Sequence, residues 1–378
     1  MNMEMILKHF EAAAINPKGQ LKEYIGKGKK AIGCFPYYVP EELVHAAGMV
    51  PFGVWGSNHK TIEAAKEYFA SFYCSLAQLN LEMGLDGTLD DLSGVIVTTL
   101  CDTLRPLSQN FRVAVPKIPF MFLAHPQNRR KEYGIQYTIS QYVKIKEKLE
   151  EIAGHPITDA DLKASIKVYN QSRKARREFV KLAGEHPELV TPIQRSAVLK
   201  SACFMLKEEH TQLLEQLNEL LRQAGPSQWA GIRIMTSGIV ADSPGLLNIL
   251  EENHMAIAAD DVAHESRSFR VDVPEDTDPV RALARQFGAQ DHDTILYDPE
   301  INKRPEYLVK LAKDSGVQGV IILMMQFCDP EEMEYPSLKK ALSEAGIPHI
   351  VIGVDHQMKD FGQARTQIQA FADILATM

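Results

Sequence analysis

No apolar run in this 378-residue chain approaches the roughly 20 residues that a membrane-spanning helix needs; 320–325 is among the longest. The opening MNMEMILKHFEAAA has no basic lead-in, and Glu4 and Lys8 interrupt its apolar stretch, so it does not read as a secretory signal. The chain is expected to be cytoplasmic. No basic arm or block of like charge occurs, and 41 basic against 49 acidic residues give a net charge of -8. That balance argues against a nucleic-acid or anionic-membrane partner. Neither G-x-G-x-x-G nor G-x-x-x-x-G-K-[ST] is present, which removes the support for a Rossmann dinucleotide site or an NTPase site. There is no C-x-x-C pair. Five scattered cysteines, an odd number, do not make a disulfide framework in a reducing compartment. They are buried thiols, ligands or nucleophiles.

What is present is ordinary globular material, 45% hydrophobic and 24% charged, long enough for two or three domains at roughly 150 residues each. The pattern predicts an α/β protein of two similar doubly wound parallel-sheet domains with an intervening and an N-terminal helical segment. The expected divisions are 1–137, an N-terminal α/β domain; 138–226, a helical segment; and 227–378, a C-terminal α/β domain. In the first, PEELVHAAG places Leu43, Val44 and Ala47 on one helical face and stops at Gly48. TIEAAKEYFASF reads as a helix. MVPFGVW, GVIVTTL and IPFMFL read as strands, the second continuous enough to be buried on both faces. Between about 138 and 224 only helical spacing appears, as in TQLLEQLNELLRQAG. Strand patterns return with GIRIMTSGI, MAIAADD, GVIILMMQF and IPHIVIGVD, and SPGLLNILEENH is a helix capped by Ser243 with Pro244 first.

The two α/β regions look like diverged repeats. Gly94 and Gly319 are 225 residues apart, Cys101 and Cys328 are 227 apart, and Ile118 and Ile347, each opening a strand, are 229 apart. Cys101 and Cys328 both follow a strand directly, where open parallel sheets bind their ligands. If the domains face each other, the thiols converge in the cleft, and Cys74 in SFYCSLAQL falls near a helix start on the segment leading to Cys101. Helix starts favour thiolate and sulfide charge. Three such thiols suit a soft metal centre. Zinc takes four closed ligands or three with an open position, and a [4Fe–4S] cluster held by three cysteines keeps one iron open. The alternative is that all three are small buried hydrophobes. Cys34 and Cys203 read as core residues, the latter on a helix.

Other candidates carry less. TSGIVADSPG offers a small-residue turn before a helix, more consistent with a plain β-to-α turn than with a phosphate cradle. Asp260, Asp261, His264, Glu265 and Arg267 group paired carboxylates with a histidine, which suits acid–base chemistry. A capped, salt-bridged surface is favoured for them. His45, His59 and His356 stand alone.

Together, FPYYVPEELVHAAGMVPFGVWGS, the Cys74 and Cys101 segments, MAIAADDVAHESRSFR and MMQFCDPEEMEYPSLKKALSEAGIPHIVIGVDHQ resemble the 2-hydroxyacyl-CoA dehydratases of anaerobic bacteria, to which benzoyl-CoA reductase subunits are related. The resemblance covers nearly the whole chain and is strongest to the smaller, beta subunit, with (R)-2-hydroxyglutaryl-CoA as the favoured substrate and the isocaproyl, phenyllactyl and lactyl enzymes close beside it. It implies a [4Fe–4S] cluster held by Cys74, Cys101 and Cys328, a homologous alpha subunit as heterodimer partner, and an acyl-CoA substrate. It also implies a separate ATP-hydrolysing iron–sulfur activator that injects one electron. The thioester then becomes a ketyl radical anion that expels the 2-hydroxyl group, and loss of an acidified β-proton gives the enoyl-CoA with the electron returned. In this subunit the implied role is electron relay, with substrate and acid–base groups in the partner. No catalytic acid or base is therefore assigned here. Asp102, Arg105 and Asp329 are candidate tuning residues beside the ligands, and no flavin site is evident, although some relatives carry one. The rivals are a benzoyl-CoA-reductase-like subunit, a cluster-free two-lobed binding or scaffold protein, and a zinc hydrolase. The expected activator face is the exposed side of 159–183. Charge reversals there should slow electron transfer from the activator, read by anaerobic stopped-flow; unchanged transfer would reject that face.

Overall fold

The structure, a computed structural model, describes residues 1–296, 298 and 303–377. Two helices open the chain, α1 (Met3–Ile15) and α2 (Pro17–Gly26). The first α/β unit then runs β1 (Ala31–Phe35), α3 (Glu41–Ala46), β2 (Val50–Gly53), α4 (Ser75–Leu85), β3 (Gly94–Thr98), α5 (Leu104–Ala114) and β4 (Phe120–Leu123). Four helices follow: α6 (Glu132–Ala153), α7 (Asp159–Glu185), α8 (Pro192–Ser201) and α9 (Lys207–Arg222). The second unit contains β5 (Ile232–Gly238), α10 (Pro244–Glu252), β6 (Met255–Val262), α11 (Pro279–Gly288), α12 (Arg304–Asp314), β7 (Gly319–Met325), α13 (Asp329–Glu344), β8 (His349–Val354) and α14 (Gly362–Ala376).

Each unit has one four-stranded parallel sheet, in the orders β2-β1-β3-β4 and β6-β5-β7-β8. The shared order is the architecture expected from the paired sequence patterns, and it places a strand-order reversal between β1 and β3 and between β5 and β7. Period-two alternation sorts the side chains. In the first sheet Ala31, Phe35, Val95 and Val97 pack under α4 and α5, while Ile32, Cys34, Ile96 and Met121 face α3 and α6. Val280 and Leu283 of α11 join that second face, although α11 lies late in the chain. In the second sheet Ile234, Ile257 and Ile321 face α10 and α14, and Met235, Val320 and Ile322 face α12 and α13. No described helix is long and apolar enough to cross a membrane.

Two expectations need correction. β1, an interior strand, has no counterpart in the sequence reading, because AIGCF is five residues broken by glycine. TIEAAKEYFASF is not an α-helix; only a 3₁₀ turn forms, at Ala64–Glu67. Its start is fixed by the Glu82 carboxylate, which accepts the backbone N–H groups of Glu63, Ala64 and Ala65, and at its end Asn110 Nδ2 donates to the Tyr68 carbonyl at 2.8 Å. Both anchors are distant in sequence, so local periodicity cannot register them.

The β5–β6 register skips Ala258, a bulge between the Ile234 and Met235 pairings. Its carbonyl is directed at α7, where a Cβ added to Gly184 would stand 2.5 Å from that oxygen. The glycine therefore sets how closely α7 approaches the second sheet. Gly184→Ala should cost about 1–3 kcal/mol by overpacking, read as a lower urea midpoint; an unchanged midpoint would show that α7 shifts without penalty.

Candidate thiol site at the facing sheet ends

Parallel strands buried on both faces leave chemistry to their carboxyl ends, and the three expected cysteines all stand at such ends or at the helices that follow. Cys328 is the N-cap of α13, and Cys74 is the N-cap of α4. Cys101 lies in the turn between β3 and α5, its carbonyl accepting from Arg105 N at 3.3 Å. Cys74 and Cys328 pack with Leu100 against Tyr37, Leu76, Ile239, Val240, Ala263 and Met325, a small apolar core shared by the ends of both sheets. The structure thus brings Cys74, Cys101 and Cys328 together. Cys34 lies buried within β1, and Cys203 lies in the turn between α8 and α9 rather than on a helix.

The site's electrostatics have two opposing parts. Burial pushes Cys74 up to about 12, against the pull of the Ala77 and Leu76 backbone N–H groups, and Cys101 adds to the rise. Burial also raises Cys101, opposed by the N–H groups of Leu104 and Thr103. Cys328 stands well above the usual thiol range, through burial first, then Glu331, and then Cys74 and Cys101. The thiols are therefore protonated as they stand, yet each has helix-start N–H groups that favour its anion. A cation or cationic cluster among them reverses the balance. Among the described residues no three His, Cys, Asp or Glu side chains are gathered tightly enough to hold a metal ion. The thiols are neighbours, not a closed single-ion ligand set. The donor set, soft sulfurs backed by N–H groups, fits a multi-atom iron–sulfur body better than one tetrahedral zinc at about 2.3 Å from each sulfur.

Backbone strain marks the same places. Phe327, just before Cys328, has φ 63°, and Tyr38, at the end of β1, has φ 54°. Such conformations cost about 1–3 kcal/mol each and cluster at functional sites. Asp102, Arg105 and Asp329 are exposed; the first and last add to the rise of Cys101. Sequence reasoning passed over His356, which is buried two residues beyond β8. Its backbone N–H donates to Ser75 Oγ at 3.1 Å, and its Nδ1 lies 3.4 Å from that oxygen, beside Cys74. The signal available was its position just past a strand end. His45 instead bridges Ser165 and Glu208, and TSGIVADSPG is a packed turn in which Asp242 pairs with Lys200.

The Asp260–Arg267 group is salt-bridged as expected, but it is core, not surface. Arg195 joins Asp260 and Glu265. Asp261 meets Arg267 at 3.1 Å, Arg304 at 2.7 Å and Arg270 in a shorter contact. Burial would raise Asp261, but the Arg267, Arg304 and Arg270 guanidinium groups outweigh it and hold the carboxyl well below its usual range. Tyr37 and Tyr38 both donate to Asp293, the latter at 2.6 Å.

Fold and site define a two-sheet α/β protein with three thiols where the sheet ends meet. The profile of a family described as 2-hydroxyglutaryl-CoA dehydratase, D-component, matches residues 36–375, and the chain belongs to that family of dehydratase subunits. It is 55% identical to the (R)-2-hydroxyglutaryl-CoA dehydratase subunit beta of Acidaminococcus fermentans, over 99% of this chain and all of that protein. It is 46% identical to the (R)-phenyllactyl-CoA dehydratase beta subunit of Clostridium sporogenes, over 99% of this chain and all of that protein. A benzoyl-CoA reductase subunit of Thauera aromatica is 28% identical, over 91% of this chain and 90% of that one.

Replacing Asp261 by Asn should cost about 3–5 kcal/mol at neutral pH, because two buried guanidinium groups, Arg267 and Arg304, and the partly buried Arg270 lose their shared anion. The native carboxyl titrates below the unfolded value of about 3.9, so its contribution is complete above that value and fades as the pH falls below it. Urea unfolding of both forms at several pH values should show the gap narrowing in acid. Equal stability at pH 7 would show that these charges do not hold the fold.

Proposed function

We propose that this chain is the beta-type iron–sulfur subunit of a 2-hydroxyacyl-CoA dehydratase, with (R)-2-hydroxyglutaryl-CoA the favoured substrate of the assembled enzyme. The observation that carries this reading is the meeting of Cys74, Cys101 and Cys328 at three helix starts between the two sheet ends. The higher identity to the hydroxyglutaryl relative, 55% against 46% for the phenyllactyl one, supports that choice of substrate. A homologous alpha subunit, an ATP-hydrolysing activator and an acyl-CoA substrate complete the system in this reading.

Cys74, Cys101 and Cys328 are the residues that hold the [4Fe–4S] cluster, which supplies one-electron chemistry when bound. The chain's own groups do the rest. N–H groups at the starts of α4, α5 and α13 stabilise negative charge on the sulfurs. Tyr37, Leu76, Ile239, Val240 and Met325 exclude water from one side. Ser75 and His356 tie the α4 start to the end of β8 and so keep Cys74 in place. Buried Glu331 is pushed up to about 7 chiefly by desolvation, and it accepts the Met325 N–H at 3.3 Å behind Cys328. An electron relay needs such a dry, fixed seat and no acid–base residue of its own.

The test is iron and acid-labile sulfide content with a visible spectrum, on anaerobically purified complex and on Cys74→Ser, Cys101→Ser and Cys328→Ser. About four iron and four sulfide assignable to this chain, lost in each variant, is the expected result. Full content in all three variants would overturn the ligand assignment. In turnover assays ATP should be needed only in catalytic amount; consumption in every cycle would favour a reductase.

A further inference from the structure

A cavity of about 90 Å³, room for a few water molecules, lies at the carboxyl end of β1 beneath α7. None of the three thiols assigned above lines it, and its role does not depend on them. Three cations border it, Arg173, Arg176 and Lys207, against two carboxylates, Glu41 and Glu42. The carboxylates are engaged. Glu42 pairs with Arg173, and Glu41 accepts from Lys207 at 2.9 Å and from the Tyr169 hydroxyl at 3.1 Å.

Arg176 is left over. It is only 7% exposed, and among the described residues no carboxylate comes within ion-pair distance of it. Its Nε donates to the Ser172 carbonyl at 3.4 Å, and its guanidinium lies 4.7 Å from the Phe269 ring centre. Its two terminal nitrogens have no hydrogen-bond partner among the described residues. Burial and Arg173 lower it to about 10, against a through-space pull from Glu41, which is already held by Lys207 and Tyr169, and this leaves it charged at neutral pH. Tyr142, 2% exposed on the same cavity, likewise has no partner for its hydroxyl among the described residues. A buried unpaired cation is among the costliest features a fold can hold. Water supplies hydrogen bonds there but no compensating charge.

We propose that this cavity binds a small monocarboxylate, its oxygens on Arg176 with Tyr142 as a further donor. One spare positive charge matches a monoanion and not a dianion such as phosphate or a dicarboxylate. Leu283 and Phe287 on the cavity wall suit a short apolar tail. Arg–carboxylate pairs of this kind are bidentate and strong for their size.

The probe is ¹³C-acetate, followed by ligand relaxation on the full-length chain in its complex, with glutarate as the dianion control. Acetate should saturate with a Kd of order 1 mM, and glutarate should not compete. Arg176→Met should weaken acetate at least tenfold and Tyr142→Phe about fivefold, while exposed Lys174→Met on the same helix leaves it unchanged. Absence of saturation in the native protein up to about ten times that Kd would overturn the site, as would native-like affinity in both cavity variants. Should Arg176→Met fail to fold, Tyr142→Phe decides alone: weakened binding supports the site, unchanged binding rejects it.

Discussion

Asp261 is the charge on which the arrangement turns. It stands at the end of β6, fully buried, and it accepts from Arg267, Arg270 and Arg304 together. Arg304 also reaches Ser237 on β5 and Glu334 on α13. Arg267 in turn lies near Asp293, which takes the hydroxyls of Tyr37 and Tyr38 at the end of β1. One set of ionic and hydrogen-bonded contacts thus runs from the second sheet, through the helix that Cys328 caps, to the first sheet. Apolar packing can bring two sheet ends together at many offsets. Directed bonds between buried charges admit far fewer, because each misplacement leaves a charge unpaired in a poorly screening interior.

That constraint bears on how the thiols meet. Cys101 belongs to the first sheet and Cys328 to the second, so their separation is set by contacts between units and not within either. The shared apolar core around Tyr37, Ile239, Val240 and Met325 is small. Its size alone gives little positional precision, and the polar network beside it supplies the rest. The strained backbone of Tyr38 and Phe327 falls at the same two strand ends. Strain of that kind persists only where surrounding contacts over-determine the chain.

Much of this was legible in the sequence, and what was not has a common cause. Seven of the eight strands were legible as strand patterns, and the Gly94/Gly319, Cys101/Cys328 and Ile118/Ile347 spacing carried the doubled architecture. Period and composition are local, so they report elements whose burial is decided by their own neighbours. β1 failed because AIGCF is only five residues and Gly33 breaks its apolar run, whereas β3, equally short and equally interior, is β-branched throughout its centre. The 62–73 segment failed because Glu82 and Asn110 decide its path. His356, Asp293 and Arg176 carry no local pattern at all. Each acquires meaning only from partners over a hundred residues away or, for Arg176, from the lack of one.

The two halves also show how one plan serves two tasks. Strand order is the same in both, and Cys101 and Cys328 occupy corresponding turns after β3 and β7. Cys74 has no such twin. It comes from the connection between β2 and β3, which gives up regular helix over 62–73 and delivers a thiol at the start of α4. The corresponding connection between β6 and β7 brings Arg267, Arg270, Asp293 and Arg304 instead, the groups that lock the sheet ends. A symmetric pair of connections would present either a fourth thiol or a second lock. The asymmetry of three thiols and one lock arises in the long crossovers, where the two halves are free to differ, since their strands are fixed by packing on both faces.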